Sequence, residues 1–99
     1  MVKILLVCNA GISNTVLLNH VKEEAEKKGN ICEVKSSTVA NVTDNISSAD
    51  VVLLAPQVAF ERDAISKLTT VPVEVISTEA YANLDGLAVT EYALKLAKK

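Results

Sequence analysis

The chain has 99 residues, a formal charge of −2, 49% hydrophobic and 22% charged residues, and one phenylalanine, two tyrosines and no tryptophan. That length fits one domain over residues 1–99, and that composition supports a packed core rather than disorder. Few aromatic residues and scattered positive charge argue against a surface that stacks bases or tracks phosphates. No apolar run reaches a membrane-spanning length.

"VKILLV" (2–7) is apolar and β-branched with little alternation, as expected of a strand buried on both faces. "SNTVLLNHVKEEAEKKGN" (13–30) reads as a helix capped by Ser13 or Asn14, with Gly29 as a left-handed C-terminal cap. "ICEVKSS" (31–37) alternates and reads as a strand nearer an edge. "TVANVTDNISSA" (38–49) reads as a short helix with Val39, Val42 and Ile46 at helical spacing. "DVVLLA" (50–55) is a second fully buried strand, and "FERDAISKL" (60–68) a helix burying Phe60, Ala64, Ile65 and Leu68. "VPVEVIS" (71–77) is the fourth strand. "LDGLAVTEYALKLAKK" (84–99) is a closing helix, with Leu87, Tyr92 (or Ala88), Leu94 and Leu96 toward the core.

Strands alternating with helices predict right-handed crossovers onto a parallel sheet with helices on both faces. The expected fold is α/β: four strands in the order 2-1-3-4, flavodoxin-like or low-molecular-weight-phosphatase-like. Ligands of such sheets sit beyond the carboxyl ends of the strands. Segments 8–15, 55–59 and 77–83 reach that edge. The two cysteines form no disulfide framework. Cys8 ends the first strand and Cys32 begins the second, so they sit at opposite edges, about 20 Å apart at ~3.3 Å per residue. Cys8 is expected to be a free thiol and Cys32 a small buried residue.

A cysteine at a strand end is commonly just a small buried side chain. Here the surroundings point to chemistry. Asn9, Ala10, Gly11, Ile12, Ser13, Asn14 and Thr15 are expected to form a tight turn into a helix amino terminus, where unpaired N–H groups and the helix dipole favour an anion. Gly11 can take a positive φ, Ser13 and Thr15 add hydroxyls, and the same field favours a thiolate at Cys8. A thiolate beside an anion cradle suits phosphoryl transfer through a phosphocysteine.

Small cysteine phosphatases of this fold place an arginine six positions after the cysteine, but Asn14 stands there, and Arg62 is the only arginine in the chain. Without that guanidinium the phosphoryl charge is less well stabilised in the transition state, so hydrolysis is expected to be slow. Asp85 is the one aspartate near the expected edge, with no assignable role as an acid. A phosphocysteine that waits for an acceptor is a carrier. A slow cysteine phosphatase or arsenate-reductase-like enzyme, and a non-catalytic regulatory docking module, are the alternatives.

The segments "ILLVCNAGISNT" (4–15), "ADVVLLAPQVAF" (49–60), "VPVEVIS" (71–77) and "YANLDGLAV" (81–89) together resemble the IIB component of the phosphoenolpyruvate-dependent sugar phosphotransferase system, in its lactose/cellobiose (diacetylchitobiose) group. The resemblance implies that Cys8 accepts a phosphoryl group from a IIA phosphohistidine. Cys8 then passes it to a sugar, a β-linked disaccharide such as cellobiose, lactose or diacetylchitobiose, held by the membrane component IIC. It implies that residues 9–15 are the phosphate-binding loop. It also implies a cytoplasmic protein, peripheral to the inner face of the membrane through IIC. The family often has Met-Ser-Thr where this chain has Ile12-Ser13-Asn14, so an amide replaces a hydroxyl at 14.

Gln57, after the third strand, is either a donor to a phosphate oxygen and the cysteine loop or a plain turn residue. Tyr81, on the loop after the fourth strand, either hydrogen-bonds near the site or packs half-buried. His20 invites a phosphohistidine reading but lies too far down its helix, which favours a surface or packing role. Asp50 falls at the wrong edge for a phosphoacceptor. No cluster has metal-ligand spacing, and no cofactor or nucleic-acid partner is expected. Apart from His20, no charged side chain occurs between Lys3 and Lys22, so the loop rim of Ala10, Ile12 and Val16 is expected to be neutral and small.

Overall fold

The computed structural model describes the backbone of residues 2–8, 12–29 and 32–98, and the side chains of 2–8, 16–29 and 33–97. Strands β1 (Val2–Cys8), β2 (Cys32–Thr38), β3 (Val51–Leu54) and β4 (Val73–Val75) form one parallel sheet in the order β2-β1-β3-β4. The expected order and all-parallel sense are met. Register pairs Val2 with Cys32 and Cys8 with Thr38, so the backbones of the two cysteine positions lie at opposite ends of the β1–β2 ladder. At the amino edge, Lys3 N–H donates to Asp50 Oδ2 (2.9 Å) and Asp50 N–H donates to Lys3 O (2.7 Å). Asp50 is thus a ladder-extending residue, far from the carboxyl edge.

β1 from Ile4 onward and all of β3 are apolar because both of their faces are covered. On one face Ile4, Leu6, Val51 and Leu53 pack with Leu17, Val21 and Ala25 of α1 (Ile12–Lys27) and Val89 and Ala93 of α5 (Gly86–Lys98). On the other, Leu5, Val7, Val52 and Leu54 pack beneath α2 (Val42–Asn45), α3 (Arg62–Ser66) and two 3₁₀ segments, Ile46–Ser48 and Pro56–Glu61. A further short helix, α4 (Thr78–Ala82), joins β4 to α5.

Four expectations need correction. The helix read over 38–49 is α only over 42–45. Thr38 stays in β2, its Oγ1 accepts from Asn41 N–H (3.2 Å), and Asn45 Nδ2 donates to Asn41 O and Ser37 Oγ. Asparagine and serine side chains compete here for backbone groups, which shortens the helix. The helix read over 60–68 begins as a 3₁₀ segment at Pro56, with a kink at Val58, and is α only over 62–66. The change of period turns Phe60 out to 80% exposure and leaves Leu68 50% exposed and Ala64 exposed, while Val58 and Ile65 fill the core.

The fourth strand is cut to 73–75 because Pro72 has no N–H to donate and Ser77 already caps α4. In α5 the buried face runs through Gly86, Val89, Thr90 and Ala93, leaving Leu87 43% exposed; Tyr92, Leu94 and Leu96 flank it half-buried. Small residues mark this face because α1 passes close. A Cβ on Gly86 would lie 2.6 Å from the backbone carbonyl carbon of His20.

Candidate functional site

Cys8 is the last residue of the central strand, and its backbone is tied on both sides. Its carbonyl accepts from Val39 N–H (3.1 Å), and the carbonyl of Val7 accepts from Ala55 N–H (2.8 Å). The thiol is free and the residue is 5% exposed, packed with Val7, Val42, Ala55 and Val58 among its cluster. Both earlier readings of this cysteine therefore apply to its position: it is buried, and it stands at the edge where ligands of such sheets bind.

Asn9, Ala10 and Gly11 lie outside the described residues. The backbone of Ile12, Ser13, Asn14 and Thr15 is the first turn of α1, and their side chains lie outside the described ones. This corrects the expected tight turn over 9–15 and the proposed caps. Ser13 and Asn14 fall inside the helix, because it starts one residue earlier than the polar residues suggest. The first turn carries no carboxylate, so the positive end of the dipole is left uncompensated four residues after the thiol. At the far end Gly29 adopts φ +89, as a left-handed cap requires.

Tyr81 lies within electrostatic reach of Cys8, and Gln57 makes a polar contact with Tyr81. Pro56 opens the 3₁₀ segment after β3 and presents Gln57 at its exposed start. Tyr81 is on α4, not on a loop as expected; Ser77 Oγ accepts from Ala80 N–H (3.1 Å) and so nucleates that helix. The Tyr81 ring is half-buried and packs against the clusters of both sheet faces. Burial, and then charge on Cys8, push its hydroxyl above the ordinary tyrosine range, while a polar contact with Gln57 works the other way. Pro56, Gln57, Thr78, Tyr81, Ala82 and Leu84 line an open cleft of about 420 Å³. The cleft was not legible in the sequence, since a five-residue helix gives no periodic signal.

Other polar residues are engaged elsewhere. Arg62 Nε donates to Val73 O (3.0 Å) and its Nη2 pairs with Glu74 (3.0 Å). Val73 is in register with Val52, and Val52 with Leu5, so this guanidinium is anchored three residues below Cys8 along the sheet. Asp85 Oδ1 accepts from Ala88 N–H (3.0 Å) as the cap of α5. His20 is half-buried with Nδ1 2.8 Å from Leu84 O, the packing role expected of it. Among the described residues no His, Cys, Asp and Glu side chains gather as a metal site, and no helix is long and apolar enough to cross a membrane.

A 2-1-3-4 parallel sheet with a thiol at the end of an interior strand, just ahead of a helix amino terminus, belongs to the flavodoxin-like class of folds, whose ligands bind at that edge. The comparisons narrow the class. Residues 3–91 match the family described as "PTS system, Lactose/Cellobiose specific IIB subunit". The chain is 34% identical over 99 residues to the oligo-beta-mannoside-specific EIIB component of Bacillus subtilis (97% of this chain, 96% of the other). It is 30% identical over 91 residues to the cellobiose-specific EIIB component of Lactococcus lactis (84% of each).

The lactose-specific IIB domain of Streptococcus pneumoniae superposes with a TM-score of 0.83 at 18% identity, over 96% of each chain, a likeness of fold. The cellobiose-specific IIB protein of Borrelia burgdorferi does so with a TM-score of 0.81 at 29% identity, over 98% of this chain and 92% of the other. The chain belongs to the lactose/cellobiose-specific IIB subunit family of the phosphotransferase system. It is a phosphotransferase component; such subunits work with IIA and IIC partners, accepting phosphate from IIA and passing it to sugar.

Proposed function

We propose that residues 1–99 form a single IIB domain and that Cys8 is its phosphoryl carrier. The observation that carries this reading is the free thiol at the carboxyl end of the central strand, just ahead of the amino terminus of α1. The Cys8 thiolate attacks the phosphorus of a phosphohistidine on IIA; the S–P bond forms, the N–P bond breaks, and the imidazole leaves. A sugar hydroxyl held by IIC then attacks the same phosphorus; the O–P bond forms, the hydroxyl proton is released to solvent, the S–P bond breaks, and the thiolate returns. The segment that leads from Cys8 into α1 and the first turn of that helix supply backbone N–H groups to the phosphoryl oxygens, with Ser13 and Thr15 as hydroxyl donors and Asn14 as an amide.

Tyr81 suits a neutral O–H donor beside the phosphoryl group, since burial and the Cys8 charge both oppose its ionisation. Gln57 orders that phenol. The only arginine is held by Val73 and Glu74, which disfavours hydrolysis and therefore the phosphatase alternative. The names of the relatives support a β-linked oligosaccharide as the final acceptor. The protein works at the cytoplasmic face of the membrane through IIC, and the neutral rim of Ala10, Ile12 and Val16 meets IIA and then IIC.

The test is intact mass with peptide mapping after incubation with phosphoenolpyruvate, the general phosphotransfer proteins and a matching IIA. One phosphoryl group on Cys8, absent from Cys8→Ser and persistent without acceptor, is the expected result. Turnover of an aryl phosphate without a stable adduct would instead revive the phosphatase. A folded Ile12→Asp variant is expected to lose transfer; normal transfer would remove the rim from the docking surface.

A further inference from the structure

Leu84 has φ 52, the left-handed conformation that side chains disfavour, and among the described residues it is the one non-glycine with positive φ. It closes α4: Leu84 N–H donates to Tyr81 O (3.1 Å) and Asp85 N–H donates to Ala80 O (2.9 Å). That paired closure normally places glycine where Leu84 stands. Such strain persists only where the surroundings over-determine it. Here they do so from α1. The Leu84 carbonyl can only accept, so His20 Nδ1 carries the proton and donates to it at 2.8 Å, alongside Gly86 N–H at 3.0 Å. Gly86 in turn sits so close to the His20 backbone that no side chain fits there.

We infer that His20 is a positioning residue for the Cys8 site: its ring pins the left-handed turn at Leu84 and so fixes the end of α4 that carries Tyr81. The link is short. Tyr81 O is the acceptor inside the pinned turn, and Leu84 lines the same cleft as Tyr81 and Gln57. His20 lies on the helix whose first turn follows the cysteine loop, so one hydrogen bond ties the two walls of the site together. The inference rests on Cys8 being the phosphoryl carrier with Tyr81 beside it.

The experiment compares His20→Ala with His20→Asn, whose amide nitrogen can stand where Nδ1 does. Both are made in a Tyr92→Phe background, so that Tyr81 is the sole tyrosine. Two readouts are taken: the rate of Cys8 phosphorylation by IIA, and the tyrosinate titration of Tyr81. His20→Ala is expected to slow transfer about five- to thirtyfold, the scale of one left-handed residue's strain, and to bring the Tyr81 titration down toward that of free tyrosine. His20→Asn restores both. In a Leu84→Gly background, where the turn forms unaided, His20→Ala changes little; this pair also decides the matter if the single variant does not fold.

Unchanged rate and titration in a folded His20→Ala protein overturn the inference. Slowed transfer with an unmoved Tyr81 titration does so too, as does an equal loss in the glycine background. If no IIA phosphorylates the unsubstituted protein on Cys8, the functional reading falls, while the titration still decides whether His20 positions Tyr81.

Discussion

The two faces of the sheet bury the same kind of strand residue under different covers. One lies beneath α1 and α5, helices of 16 and 13 residues, whose contact uses Ala25, Ala93 and the bare backbone at Gly86. The other lies beneath helical pieces of three to six residues held by local side-chain bonds and by single inserted residues, Val42, Ile46, Val58 and Ile65. Helices that short do not hold their shape through propensity; they depend on the core they touch. The long-helix face therefore supplies rigid packing, and the short-piece face supplies adjustable cover. Tyr81 packs against both where they meet near Cys8.

The sharpest break of this comparison is a matched pair in β3. Leu53 and Leu54 are both fully buried and face opposite clusters. Each substitution to alanine is expected to cost about 2–5 kcal/mol. Leu53→Ala should be the larger, because the long helices cannot settle into the cavity while short segments can. Equal midpoints in urea would mean that the two covers are equally stiff.

Gly86→Ala comes next. The gain in helix propensity is outweighed by a methyl group driven into the His20 backbone, for a net loss of about 1–3 kcal/mol, read as a lowered Tm.

The tyrosines sharpen the comparison by pH. Tyr81 is raised by burial and then by Cys8, and Tyr92 by burial and then by Glu74. A raised phenol binds its proton more tightly folded than unfolded. Stability is therefore unaffected below about pH 10, the free tyrosine value, and falls as pH rises beyond it. Phenylalanine at either position should make that fall shallower. The smallest effect belongs to Phe60→Ser on the short-piece side: at 80% exposure, its change in stability should stay within about 0.5 kcal/mol.

Strand identity, order and the place of Cys8 were legible because buried parallel strands and a strand–helix alternation leave few arrangements. Helix faces were less so. On α5 the eye goes to leucines, yet Leu87 is exposed and the face is marked by Gly86, Val89 and Ala93, since close approach selects small residues rather than large ones. Phe60 misled for a different reason: counting at 3.6 residues per turn fails across a 3₁₀ segment. Cys8, Gln57 and Tyr81, the residues of the proposed site, each stand out in the sequence by their place after a strand. The bond from His20 to Leu84 spans 64 positions and leaves no local pattern.

The order β2-β1-β3-β4 also sets a schedule. The strand that ends in Cys8 is made before β3, yet it lies inside the sheet, and it gains its second neighbour only when residues 51–54 have emerged. The thiol acquires its finished surroundings only after the long stretch between β1 and β3 has been made. Until then Cys8 lacks Ala55 and Val58, later residues of the cluster that buries it.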